Sequence, residues 1–137
     1  MIGALSLLGA SPDNNAMKIL IGAKQIETAK IYESAEPSKL AESFKSILQR
    51  DNPRCALIEL FKRSKTGAGR IYALLGLFRT DKKLYSEYVK TVESTEVIQG
   101  LWYSVVRHLS AKEWVTMIES GELYNNIMPS ESKTRSK

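Results

Sequence analysis

Punctuation constrains this chain more than anything else in it. From Glu36 onward a cap or turn signal returns roughly every fifteen residues, and each interval carries apolar residues at helical spacing. After Pro37, Ser38 is placed to cap a helix reaching about Arg50, with Leu40, Phe44, Ile47 and Leu48 on one side. Asn52 before Pro53 reads as cap and first helical residue of a second helix, whose stripe is Leu57, Leu60 and Phe61 and whose Lys62 and Arg63 suit a C-terminal end. The two are expected to form a helical hairpin.

Thr66-Gly67-Ala68-Gly69 makes the next break. It precedes Arg70 to Arg79, a segment with so little polar face that it should be central. Gly76 costs about 1 kcal/mol against alanine there, which points to close approach by another backbone. Asp81 can cap a following helix through Leu84, Tyr85, Tyr88, Val89 and Val92, giving a second hairpin. Ser110-Ala-Lys-Glu113 fits a capping box, and Gly121 is placed to end that helix. Beyond Tyr124 the sequence turns polar.

Two segments carry both patterns. Residues 18–33 show helical spacing at Ile19, Ala23 and Ile26 and a strand-like distribution of Ile19, Ile21, Ile26, Thr28 and Ile31. Residues 96–109 are rich in β-formers around Gly100, yet space Ile98, Leu101, Val105 and Leu109 as a helix would. We weigh helix slightly ahead in both; if extended, they pair as a minor sheet. The expected fold is mainly α, one domain over residues 1–128 built of helical hairpins, arranged as a HEAT-like stack or an irregular bundle. Residues 129–137 form a basic tail expected to stay disordered.

With 43% hydrophobic and 26% charged residues, the chain of 137 residues has the balance of a globular domain and not of a disordered one. The net charge of +5 is partly in the tail, which leaves about +3 for the body. Lys and Glu alternate, as in Lys24, Glu27, Lys30 and Glu33, unlike the one-sided basic face of a nucleic-acid reader. Residues 1–14 open on an apolar run without a basic start, too short to span a membrane. They read as a trimmed export signal or a terminal helix, so both a cytoplasmic and an exported location are open.

The chemistry available is narrow. Cys55 is the sole cysteine, so neither an intrachain disulfide nor a cysteine zinc cluster can form. Beside Ala56, Leu57 and Ile58, with no histidine adjoining, it reads as a buried inert thiol. His108 is the sole histidine, which excludes metal sites needing two imidazoles, and it reads as a helix-end or surface residue. The carboxylates, among them Glu36, Glu42, Glu59, Asp81, Glu87 and Glu93, sit where solvated helix faces need them, and no catalytic pair stands out. No cofactor, metal ligand set or catalytic residue is expected.

Two surfaces remain as candidates. Gly67, Gly69 and Arg70 form a glycine turn opening a helix, which could present N–H groups to an anion, though the full phosphate-loop pattern is absent. Trp102, Tyr103, Arg107 and Trp114 gather residue types enriched at interfaces, and serve either as core or as anchors for a partner.

The run Thr66 to Leu77, TGAGRIYALLGL, with Asp81 after it and Ile118-Glu119-Ser120-Gly121 later, resembles a group of small bacterial proteins of unassigned function that share an AGR-hydrophobic-YAL-x-GL segment. The likeness would cover about Glu36 to Tyr124. It implies a bacterial source and, since many of that group carry export or lipoprotein signals, residence outside the cytoplasm. It brings no activity or cofactor, and Gly100-Leu101 stands where the group has Gly-Cys.

These residues lead to a non-enzymatic helical module that binds another protein, for example of inhibitor or immunity type. The alternative is a nucleic-acid or anionic-surface binder using Lys62, Arg63, Lys65, Arg70 and the basic tail, whose affinity would fall steeply with salt. An enzyme built on Arg70 and His108 with a carboxylate would need those side chains to converge. The sequence leaves the oligomeric state open.

Overall fold

The computed structural model describes residues 12–29, 37–103 and 105–128. Most of the N-terminal segment, the tail after Met128, and Lys30, Ile31, Glu33 and Glu36 lie outside them. Within the described residues the chain is mainly helical: seven helices accompany one small three-stranded sheet.

Helix α1 (Pro12–Ile21) is followed by the short strand β1 (Ile26–Glu27), so the first ambiguous segment is helix and then strand. Helix α2 (Lys39–Leu48) begins where expected, with Ser38 Oγ accepting from the Ala41 N–H at 3.1 Å. Helix α3 (Pro53–Arg63) has Pro53 in its first turn, but Asn52 supplies no side-chain cap; its amide turns to Cys55 Sγ instead. The predicted hairpin of α2 with α3 is only a minor contact. Helix α2 lies chiefly along α1, and α3 chiefly along α4 (Gly67–Thr80).

Gly76 explains the second pairing. An added Cβ there would lie 2.8 Å from Cδ1 of Leu57, so the close neighbour is a leucine side chain on α3 rather than another backbone. Helix α4 also starts earlier than the glycine turn suggested. Thr66 is its N-cap and accepts from the Gly69 N–H at 3.1 Å, which makes the glycines its first turn. It is central as expected: Ile71, Tyr72, Ala73, Leu74, Leu75 and Leu77 are wholly or almost wholly buried. Each such large aliphatic side chain contributes roughly 1.5–3 kcal/mol by leaving water.

Asp81 caps α5 (Lys82–Val89), accepting from the Leu84 N–H at 3.1 Å. That bond, with the ion pair to Arg54 adding to it, holds the Asp81 carboxyl below its ordinary range.

The slight preference for helix over residues 96–109 was wrong. They form an antiparallel hairpin, β2 (Val97–Trp102) and β3 (Val105–Ser110), in register from Val97 opposite Ser110 to Trp102 opposite Val105. Strand β2 is central, because β1 pairs with it in parallel, Ile26 opposite Gly100 and Glu27 opposite Leu101. The sheet wins for two physical reasons. The β-branched and aromatic residues suit pleated strands, and Gly100, a liability in a helix, leaves room for the indole of Trp114: a Cβ on Gly100 would lie 2.6 Å from its Cζ2.

Helix α6 (Ala111–Ser120) leaves β3 directly through the predicted capping box, Ser110 Oγ accepting from Glu113 N–H while Glu113 Oε1 accepts from Ser110 N–H. Gly121 ends it in the left-handed region, at φ 88°. The polar-looking stretch that follows holds one more short helix, α7 (Glu122–Ile127), which buries Leu123, Tyr124 and Ile127. The buried apolar residues of all these elements form one cluster around α4.

Candidate interaction surface

The hairpin sorts its side chains by strand alternation. On its inner face lie Ile98, Gly100 and Trp102, opposite Leu109, Arg107 and Val105; on its outer face lie Val97, Gln99 and Leu101, opposite Ser110, His108 and Val106. The inner face packs on α6. Trp114 is wholly buried there, and its Nε1 donates to the Ile98 carbonyl at 2.9 Å.

The four residues expected to act together therefore divide. Trp114 is core and leaves the candidate surface. Trp102 is half-buried, its ring 6.4 Å from that of Trp114, with the Arg107 guanidinium 5.3 Å from its centroid. Tyr103, directly after β2, has φ 60°, a conformation rare for a side chain of this size. Two bonds hold it there: its N–H donates to Thr28 Oγ1 and its hydroxyl to Asn126 Oδ1, each at 2.8 Å. Tyr103 is thereby tied to the residue that follows β1 and to α7.

What sequence reading missed on this surface is its valines. Among the described residues, the exposed large hydrophobics are Val97 (66%), Val105 (60%), Val106 (52%) and Tyr103 (42%), all on the hairpin. The signal was period-two alternation, legible only once the segment is taken as strands: Val97, Gln99 and Leu101 on one strand, Val106 and His108 on the other.

The candidate anion turn is occupied from within. Gly67 and Gly69 are buried, and the Glu96 carboxylate lies against Gly67 while it pairs with Arg70 at 3.4 Å. The positive end of α4 thus faces the chain's own carboxylate, where a helix terminus favours negative charge. Gly69 meets Ser64 and the Leu20 carbonyl with similar closeness. Of the proposed basic patch, Arg63 pairs with Glu59 at 2.7 Å and Arg70 with Glu96, while Lys62 and Lys65 are exposed.

The remaining chemistry is dispersed. His108 is exposed on the outer face of the sheet, its Nε2 3.3 Å from Gln99 Oε1, while Arg70 is engaged with Glu96. Cys55 is exposed, not buried, because the stripe Ala56, Leu57 and Leu60 turns inward and leaves it on the other side of α3. No group of three or more His, Cys, Asp and Glu side chains among the described residues could hold a metal.

A cleft of about 260 Å³ is lined by Lys45, Leu48, Gln49, Arg79, Thr80, Tyr124 and Met128, with Arg79 laid 3.7 Å over the Tyr124 ring. Among the described residues no helix is long and apolar enough to cross a membrane. Comparison with family models, curated proteins and solved structures gives no significant match to the chain.

Proposed function

We propose that this protein is a non-enzymatic module that binds another protein, and that it does so through the β2–β3 hairpin. One observation carries the reading: large apolar side chains of the described helices are buried or half-buried, yet Val97, Val105, Val106 and Tyr103 are exposed and all lie on the hairpin, the last three toward its turn. Grouped exposed apolar residues rimmed by polar ones mark interaction surfaces more than scattered ones do. Here Gln99 and His108 adjoin Val106 on the outer face, and Arg107 adjoins Val105 on the inner face.

Of the two helical arrangements expected, an irregular bundle suits this function better than a HEAT-like stack, because a sheet rather than a row of hairpins offers the surface. The resemblance of the Thr66 to Leu77 run makes the expected setting a bacterium, in its cytoplasm or, on the export-signal reading of residues 1–14, its periplasm or envelope. Nucleic-acid binding is the weaker reading, since two of its four body cations already face carboxylates.

The test is the double substitution Val105→Ser/Val106→Ser. Exposed positions of this kind change stability by about 0.5 kcal/mol or less. The wild-type chain is expected to retain a specific protein from a lysate of its source cells and the double variant to lose it, both melting alike. Retention of no protein by the wild type, or equal retention by both, refutes the reading.

A further inference from the structure

The strand order leaves β3 with one side unpaired, and the direction of its peptide groups can be worked out. The Ala111 N–H donates to the Glu96 carbonyl at 2.7 Å, one step beyond the Val97 and Ser110 pair. From the opposite side of β2, the Thr28 N–H reaches the Leu101 carbonyl at 3.2 Å. Antiparallel pairs alternate between bonded and non-bonded, so the pairs Leu101/Val106, Gln99/His108 and Val97/Ser110 turn their peptide groups away from each other. Val106, His108 and Ser110 therefore point theirs off the free edge. The Ser110 N–H is caught by Glu113 Oε1 at 2.8 Å. Among the described residues, nothing in the chain meets the N–H and C=O of Val106 or His108.

Edge strands are commonly blunted by an inward-facing charge, which Arg107 supplies here, or by a bulge, a lysine or a proline. The stretch Val105–Ser110 carries neither residue, pairs with β2 in unbroken register, and exposes both valines. The groups left open are peptide groups, and what satisfies them in a row is another extended backbone.

Charge decides between occupants. A second copy of this chain using all the open groups would pair Val106 with the His108 of that copy and set Arg107 against its own counterpart. That position is a non-bonded pair, where side chains come closest, and like charges there are destabilising. A carboxylate in the same place meets a guanidinium already positioned over Trp102. Resting on the function proposed above, we infer that β3 accepts an extended segment of a different protein, added antiparallel. Read from its N-terminus, that segment presents a polar residue opposite His108, an acidic one opposite Arg107, and apolar ones opposite Val106 and Val105.

The experiment selects displayed random peptides on the immobilised full chain, then measures the enriched peptides against the wild type, Val106→Pro and Arg107→Glu. Proline is tolerated where an N–H faces away from the sheet, so Val106→Pro should fold. Peptides N-methylated on their own backbone keep the test valid if it does not. The expected result is enrichment of acidic residues followed by apolar pairs, with binding about tenfold weaker or worse in Val106→Pro. Arg107→Glu should reverse the preference to basic residues. N-methylation opposite Val106 and His108 should abolish binding, and N-methylation opposite Arg107 should not.

Binding indifferent to the position of N-methylation would overturn strand addition while leaving the interaction module standing. Peptides without an acidic preference would overturn the assigned occupant. So would self-association in sedimentation that Val106→Pro removes, because a second copy would then hold the edge. No enrichment at all would overturn the inference, whereas the module itself fails only by the paired retention experiment.

Discussion

Replacing Gly100 by alanine asks whether the sheet is locked to the helices through one indole. The added Cβ would lie 2.6 Å from Cζ2 of Trp114 and nearer still to Cη2. That ring is wholly buried and its Nε1 is bonded to the Ile98 carbonyl, so it cannot swing aside without leaving a buried donor unpaired. Overpacking costs about 1–3 kcal/mol and an orphaned donor about 1–3 kcal/mol, offset by about 0.5–1 kcal/mol for replacing glycine in a strand. The net expectation is a loss of about 1–5.5 kcal/mol. Trp114→Phe alone loses buried area and the indole bond but shrinks the ring that collides. The double variant should therefore cost about 1–3 kcal/mol less than the sum of the singles. Urea unfolding of the full chain, followed by circular dichroism, supplies all four free energies. Additivity within about 0.5 kcal/mol would refute the reasoning, as would a Gly100→Ala cost below about 1 kcal/mol.

The capping box should behave as a reciprocal unit. Ser110→Ala or Glu113→Ala each lowers stability by about 1 kcal/mol, the pair by less than the sum, and additive melting shifts would count against it. At high pH the buried Tyr72 phenol matters: burial raises its pKa well above the ordinary 10.0, so the folded state favours the neutral form. Its contribution is complete below pH 10.0 and is lost as pH rises further, by up to about 1.4 kcal/mol per pH unit. Tyr72→Phe should flatten that alkaline decline in pH-dependent denaturation, and an unchanged slope would exclude Tyr72 as its source. At low pH the sign reverses for Asp81, whose folded pKa is depressed: its stabilisation is present above the ordinary 3.8 and fades as pH falls through the folded value. Asp81→Asn keeps a cap without the charge, so it should lose less stability than the wild type between neutral and acid pH; parallel acid profiles would reject the assignment.

Helix ends were legible because their signals are local. Ser38, Asp81, Ser110 and Gly121 each act within one turn of themselves, and each does what its identity implies. Partners were less legible, since a stripe such as Leu57 and Leu60 announces a buried face without naming what covers it. The notch at Gly76 that receives Leu57 comes from a different helix. Residues 96–109 defeated periodicity for a related reason. Ile98, Leu101, Val105 and Leu109 fit a helix when counted along the chain, but the pairing of β1 with β2 and the seat of Trp114 on Gly100 are long-range contacts that no local count contains. The candidate site followed the same division. Trp102, Tyr103 and Arg107 were proposed by residue type, whereas the exposed valines on the same hairpin required the strand register.

The two surfaces that residue type proposed can be ranked by what each group already touches. A helix N-terminus with an arginine beside it attracts anions only while its charge is unmet. At Gly67 and Arg70, Glu96 supplies that anion from within the chain, and an external phosphate would have to displace it. The capping box acts likewise at the end of β3, where Glu113 engages the Ser110 N–H. Both carboxylates satisfy groups that would otherwise draw a ligand, and both lie at the base of the hairpin. Toward the turn no such carboxylate is present among the described residues: Val106 and His108 keep their peptide groups open, beside exposed valines. Water pairs with those groups in the free protein, so strand addition exchanges hydrogen bonds at a net gain of only about 0.5–1.5 kcal/mol each. The larger share of affinity must then come from covering Val105, Val106 and Tyr103, with the carboxylate opposite Arg107 selecting which strand is accepted.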